Sequence, residues 1–151
     1  VDTPRWLDET EMATWRAFLR GATDLFERLD AELTSEHSLS LAEYEILVVL
    51  SESCPGLRMK DLACAARVSR SRLTHTCNRL EAAGLLERVE CPTDRRGLVA
   101  HLTDAGRSRL EHAAPTHLRG VRQYLIDAVG PDGHGPLTEA MNRIAMAVER
   151  E

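Results

Sequence analysis

Ser69-Arg70-Ser71-Arg72-Leu73-Thr74-His75-Thr76-Cys77-Asn78-Arg79-Leu80-Glu81-Ala82-Ala83-Gly84 reads as one short helix with two unlike faces. Ser69 is an N-cap residue, whose hydroxyl can accept from an amide of the first turn. Gly84 is the usual left-handed residue just past a helix end. At about 100° per residue, Leu73, Cys77 and Leu80 share one side, and that side packs inward. Ser71, Thr74, His75, Asn78 and Arg79 fall on or near the opposite side, with Arg70 and Arg72 flanking it at the N-terminal end.

The neighbouring segments give this helix a context. Met59 to Ala66 reads as a shorter helix with Leu62 and Ala63 inward, and Arg67-Val68 makes a tight break before Ser69. After Gly84 the period changes. Leu86 to Cys91 alternates with period two, Pro92 to Gly97 is a polar turn, and Leu98 to Leu102 resumes as a strand. That is a β-hairpin whose tip carries Arg95 and Arg96. Two short helices, a two-residue break and a basic hairpin make a winged helix-turn-helix. An α-helix fits the major groove of duplex DNA, where its exposed polar side chains meet base edges. Asn78 can pair bidentately with adenine and an arginine with guanine, and the hydroxyls can serve bases or phosphates. The amide end near Ser69 to Ser71 favours a phosphate, and the hairpin tip suits the minor groove or the flanking backbone.

Further out, Met12, Trp15, Phe18, Leu19, Ala22, Leu25, Phe26, Leu29 and Leu33 recur at helical spacing and mark a helix over roughly 8–34. Ser40-Leu41-Ala42-Glu43 is a capping box opening a second helix over about 41–52, which Pro55-Gly56 ends. Thr103 can cap a fifth helix from Asp104, with an apolar stripe from Leu110 to Val129 and an expected kink or break at Pro115. Pro131 to Pro136 is expected to be a loop, and Pro136 to start a last helix through Leu137, Met141, Ile144 and Val148. The fold class is therefore mainly α with a small β-hairpin wing.

The chain has 151 residues and a formal net charge of −5, which looks unfriendly to nucleic acid. Placed along the chain, the charge reads otherwise. Residues 58–109 hold eleven basic and six acidic residues, a balance of +5, and the remainder holds eight basic and eighteen acidic, a balance of −10. Such asymmetry points to a polyanion partner for one part only, although a solvated face would carry the same charges. Aromatic residues at 4% argue against an aromatic platform for single strands. No apolar run approaches the length of a membrane span, and Val1 to Thr10 lacks the pattern of a signal peptide, so a cytoplasmic protein is expected. Cys54, Cys64, Cys77 and Cys91 form no C-x-x-C pair and read as small buried hydrophobes, not metal ligands. No P-loop, H-E-x-x-H or G-x-S-x-G pattern occurs, so neither an enzyme nor a cofactor or metal is expected.

The run from Ser69 through Gly84 to Arg88 resembles the recognition helix and first wing strand of the MarR family of bacterial transcription regulators. Asp94-Arg95-Arg96 and Leu102-Thr103-Asp104-Ala105-Gly106 resemble that family's D-x-R and L-T-x-x-G motifs, and the likeness is close over 57–106. The resemblance implies a single domain over 1–151, with 40–103 as the DNA-binding lobe and 8–34 with 104–151 as a helical dimerisation region. It implies a homodimer on a pseudo-palindromic operator in double-stranded DNA, acting as a repressor released by a small aromatic or phenolic acid. Ser69, Arg70, Ser71, Arg72, Thr74, His75, Asn78, Arg79, Asp94, Arg95 and Arg96 form the candidate DNA-contacting set. Arg96 matches the wing arginine that enters the minor groove, and Asp94 the acid that orients it. Arg72 and His75 depart from the Thr and Arg that many members carry, which leaves base preference open there. Trp15, Arg16, His37, Tyr44 and His112 are candidates for an effector pocket, with core packing or surface exposure as the competing account of each. A protein-binding winged helix, or a thiol- or metal-responsive regulator, is the alternative reading. The absence of a cysteine before Cys54 disfavours a peroxide sensor, and the five-residue spacing of His112 and His117 disfavours zinc.

Overall fold

The computed structural model describes residues 4–53, 55–91 and 94–149, and for residues 94–96 the backbone alone. Its elements run α1 (Glu9–His37), α2 (Leu41–Ser51), β1 (Leu57–Arg58), α3 (Met59–Ala65), α4 (Arg70–Ala82), β2 (Leu86–Cys91), β3 (Asp94–Leu102), α5 (Asp104–Val121), a π-helical turn (Arg122–Ile126), α6 (Asp127–Val129) and α7 (Pro131–Val148). The three strands form one antiparallel sheet in the order β1-β3-β2. The chain divides into two compact units, residues 29–117 and the described parts of 1–28 with 118–151.

The unit over 29–117 holds the core. Leu33, Leu39, Leu47, Leu62, Leu73, Cys77, Leu80 and Leu86 are almost wholly buried, drawing α1, α2, α3, α4 and β2 around one centre. The inward triplet of α4 is Leu73, Cys77 and Leu80, as its spacing requires. Helix ends here are closed by their own backbone. After α3, Val68 N–H reaches the carbonyl of Ala63 and Arg67 N–H that of Cys64, with Arg67 at φ 54. After α4, Leu85 N–H reaches Leu80 and Gly84 N–H reaches Glu81, with Gly84 at φ 72. Both are Schellman motifs, which satisfy terminal carbonyls by turning one residue left-handed. The capping box of α2 is present in both directions. Glu43 N–H donates to Ser40 Oγ at 3.2 Å and Ser40 N–H to Glu43 Oε2 at 2.8 Å.

The segment Leu102 to Gly106 locks the sheet to the helices. Thr103 Oγ donates to the Gly84 carbonyl at 2.8 Å and accepts from Gly106 N–H at 3.0 Å. Gly106 has no room for a side chain, because a Cβ there would lie 2.0 Å from the Leu85 carbonyl oxygen.

Four expectations need correction. The wing has a third strand, β1, whose two residues pair with Val99 and Ala100; two residues carry no readable period. β3 begins at Asp94, not Leu98. Its register shifts between Glu90, which pairs with Leu98, and Cys91, which pairs with Asp94, so 95–97 have no in-register partner on β2. Pro115 does not break α5, and 131–136 are helical rather than a loop. Burial of Ala113 and Thr116 on either side of Pro115 holds α5 continuous against the lost amide bond. At the other site, Gly130 at φ 73 makes the turn and Pro131 occupies the first helical position, where its missing N–H is no loss. His134 Nε2, 2.8 Å from the Ile126 carbonyl, ties this first turn back to the π-helical turn.

In the unit of the chain's two ends the apolar stripes are present, yet none of the described apolar side chains is buried. Trp15 stacks on Phe18 with ring centroids 6.2 Å apart, and Arg28 lies over the Tyr124 ring while Nε donates to its hydroxyl at 3.2 Å.

Candidate nucleic-acid interface

Helix α4 presents its polar side to solvent as a continuous strip. Ser69, Arg70, Ser71, Arg72, Thr74, His75, Asn78 and Arg79 are all exposed. Ser69 caps the helix, accepting from Arg72 N–H at 3.3 Å, and no acid lies in the first turn. The positive end of the helix dipole is therefore left uncompensated by an acid, with exposed Arg70 and Arg72 flanking it on different sides. The start of α2 is different. There Leu41 N–H donates to Asp30 Oδ1 at 2.8 Å and Ser40 N–H to Glu43, so two carboxylates already occupy that helix end. An anion is drawn to α4, not to α2.

The side chains of the strip are differently constrained. Thr74 donates its hydroxyl to the Arg70 carbonyl at 2.9 Å, leaving a methyl group and an acceptor outward. Arg79 Nε lies 2.9 Å from Oε1 of Glu43, the carboxylate that closes the α2 capping box and is itself buried. Arg79 thereby ties α4 to α2. Arg88, on β2, is mostly covered. Its backbone N–H donates to Glu81 Oε1 at 3.0 Å and its Nε to Glu81 Oε2 at 3.2 Å. Its Nη2 reaches both Glu81 Oε2 and, at 2.8 Å, Asn78 Oδ1. These bonds hold the Glu81 carboxyl below its ordinary range. They join α4 and the wing. The restraints from Glu43 and Arg88 had no sequence signal, because each partner lies on another element.

The backbone of Asp94, Arg95 and Arg96 lies in β3, and their side chains fall outside the described residues. The five effector-pocket candidates form no single cluster within either unit. Trp15 and Arg16 lie on the N-terminal half of α1, Trp15 against Phe18. His112 is exposed and bonds its own helix through the Ser108 carbonyl. In the unit over 29–117, His37 and Tyr44 enter different contacts. The Thr116 hydroxyl gives its one proton to Glu36 at 2.9 Å, so it accepts from His37 Nε2 at 2.8 Å. Tyr44 packs on His117, centroids 4.6 Å apart. His117 Nδ1 is buried with no hydrogen-bond partner among the described residues, and burial lowers its pKa. His117 thus joins Tyr44, although the sequence weighed it only for zinc and disfavoured that.

Cys77 and Cys91 are buried as expected, Cys64 is exposed, and Cys54 lies outside the described residues. Among the described residues no three His, Cys, Asp or Glu side chains gather as a metal site, and no helix is long and apolar enough to cross a membrane.

A sequence profile of the MarR family matches residues 37–97, the span from the end of α1 into the wing. A regulatory protein of Thauera aromatica, described as a putative transcriptional regulator of the hcr operon, is 34% identical over 112 residues, covering 72% of this chain and 67% of its own. The chain belongs to the MarR family. Solved structures of this family agree along nearly the whole length. Sco3205 of Streptomyces coelicolor, solved in complex with DNA, superimposes with a TM-score of 0.92 at 40% identity, over 97% of this chain and 92% of that one. AbsC of the same organism superimposes with a TM-score of 0.91 at 40% identity, over 98% and 100%. The chain has the MarR fold, with its winged helix for binding DNA, and is a transcription regulator of this family.

Proposed function

We propose that the chain binds a pseudo-palindromic operator as a homodimer, α4 in the major groove and the wing in the minor groove through Arg95 and Arg96, and represses until a small aromatic or phenolic acid binds. The observation that carries the DNA contact is the acid-free start of α4, where Ser69, Arg70, Ser71 and Arg72 are all exposed. Sco3205, similar along its length, was solved on DNA. Dimerisation by 8–34 with 104–151 is supported by apolar side chains that their own unit leaves exposed, among them Phe26, Leu118, Ile144 and Val148. Tyr44 and His117, a ring pair with a buried unpartnered nitrogen, support an aromatic acid as effector.

Selection from a randomised duplex pool tests this reading. The recovered DNA should carry an inverted repeat with half-site centres about one turn, roughly 10 bp, apart. Arg96→Ala should weaken binding to every recovered sequence. Binding to acidic polypeptide without binding to duplex would favour the protein-binding alternative. Salicylate should release the selected duplex from the wild type and not from His117→Ala; release from neither removes the effector part of the proposal.

A further inference from the structure

We propose that Arg88 sets what Asn78 can read, turning its amide into a donor aimed at acceptor atoms on a purine edge instead of a two-point reader of adenine. The inference rests on the DNA-binding reading above and concerns one side chain within it.

Arg88 Nη2 stands 2.8 Å from the side-chain oxygen of Asn78. A guanidinium has donors and no acceptor, so the atom of the amide that faces it must be oxygen, and the other end must be the amine. This bond is not a loose surface contact. Arg88 is mostly covered, at 15% side-chain exposure, and Glu81 grips it through its backbone N–H, Nε and Nη2. Glu81 sits on α4 close to Asn78, so the clamp and the side chain it orients move with the same helix. The two ends of a planar amide diverge. With the oxygen directed at β2, the amine leads from the exposed strip.

Reading adenine in two places requires both ends at once, the oxygen taking a proton from N6 and the amine giving one to N7. An amine alone finds N7 on either purine and O6 on guanine, and meets a competing donor at adenine N6. Asn78 therefore accepts guanine at least as well as adenine. Arg88 touches no base in this account; it is a positioning residue.

The test uses the full-length chain as wild type, Asn78→Ala, Asn78→Asp and Arg88→Met, each selecting duplexes from a randomised pool. The wild type should show one position per half-site, lost in Asn78→Ala, at which guanine is accepted as well as adenine. Replacing that purine's N7 by carbon should weaken wild-type binding by about 2- to 12-fold, the range of one neutral hydrogen bond. The same replacement should leave Asn78→Ala unaffected. Arg88→Met frees the oxygen and should move the preference toward adenine. Asn78→Asp keeps an oxygen for Arg88 and presents another outward, so it should move the preference toward cytosine. If Arg88→Met fails to fold, the Asn78→Asp result decides. A wild-type preference for adenine over guanine of tenfold or more at that position overturns the proposal. A uniform loss in Asn78→Ala with base preferences intact also overturns it, because Asn78 then meets the backbone. Failure of the wild type to bind any duplex overturns the DNA reading and this inference with it.

Discussion

Two side chains report the fold through their protons, and one through its lack of reactivity. His117 is packed on Tyr44 with a buried, unpartnered nitrogen, and burial holds its pKa below the ordinary value near 6.5. The folded chain resists the proton that the unfolded chain takes, so this contribution to stability is complete above about pH 6.5. It is lost as the pH falls toward the lower folded value. The thermal midpoint should drop across that window in the wild type, and His117→Gln should flatten the drop. Equal slopes would show that His117 is not held neutral. Glu81 works in a lower window. Arg88 depresses its pKa, so the tie from α4 to β2 persists above the ordinary glutamate value and weakens only as the pH falls through the depressed one. Cys77 is pushed up to about 11 by burial and stays a thiol at neutral pH. Iodoacetamide should label exposed Cys64 readily and reach Cys77 only on unfolding, as peptide mass spectrometry would show; rapid labelling of Cys77 would contradict its place in the core.

At the scale of the element, the helix-turn-helix is held by backbone closures as much as by its core. Arg67 makes the Schellman turn after α3 with a Cβ that this conformation disfavours. Arg67→Gly should therefore raise stability by about 0.5–1 kcal/mol in urea unfolding, the relief of strain exceeding the added freedom of the unfolded chain. Gly106→Ala should cost more than about 2 kcal/mol, because its Cβ meets a carbonyl oxygen of the backbone rather than a movable side chain. Helix α4 was legible in the sequence because its cap, its inward triplet and its terminal glycine agree. The break at Arg67-Val68 was legible too, but not its left-handed residue, since arginine gives no sign of that conformation. Pro115 and the run 131–136 misled because proline and glycine report local preference. Packing beside Ala113 and Thr116 overrides it in one case, and the unexpected start of α7 at Pro131 satisfies it in the other. The outward face of α4 could be read from spacing alone. The bonds from Glu43 to Arg79 and from Arg88 to Asn78 could not, because they join elements that only the tertiary fold brings together.

At the scale of the whole molecule, charge is the organising feature. A net −5 is the sum of a +5 segment over 58–109, which contains α3, α4 and the wing, and a −10 remainder. In the proposed complex the first meets phosphate and the second does not. Four arginines per protomer on phosphates give about eight contacts in a dimer. Each contact releases condensed counterion, so log Kobs should fall with log salt at a slope of about −7. Fluorescence anisotropy of the selected duplex, titrated with the full-length chain over a series of salt concentrations, measures that slope directly. A slope of about −7 is the expected result, and a slope near zero would contradict the interface placed on α4 and the wing.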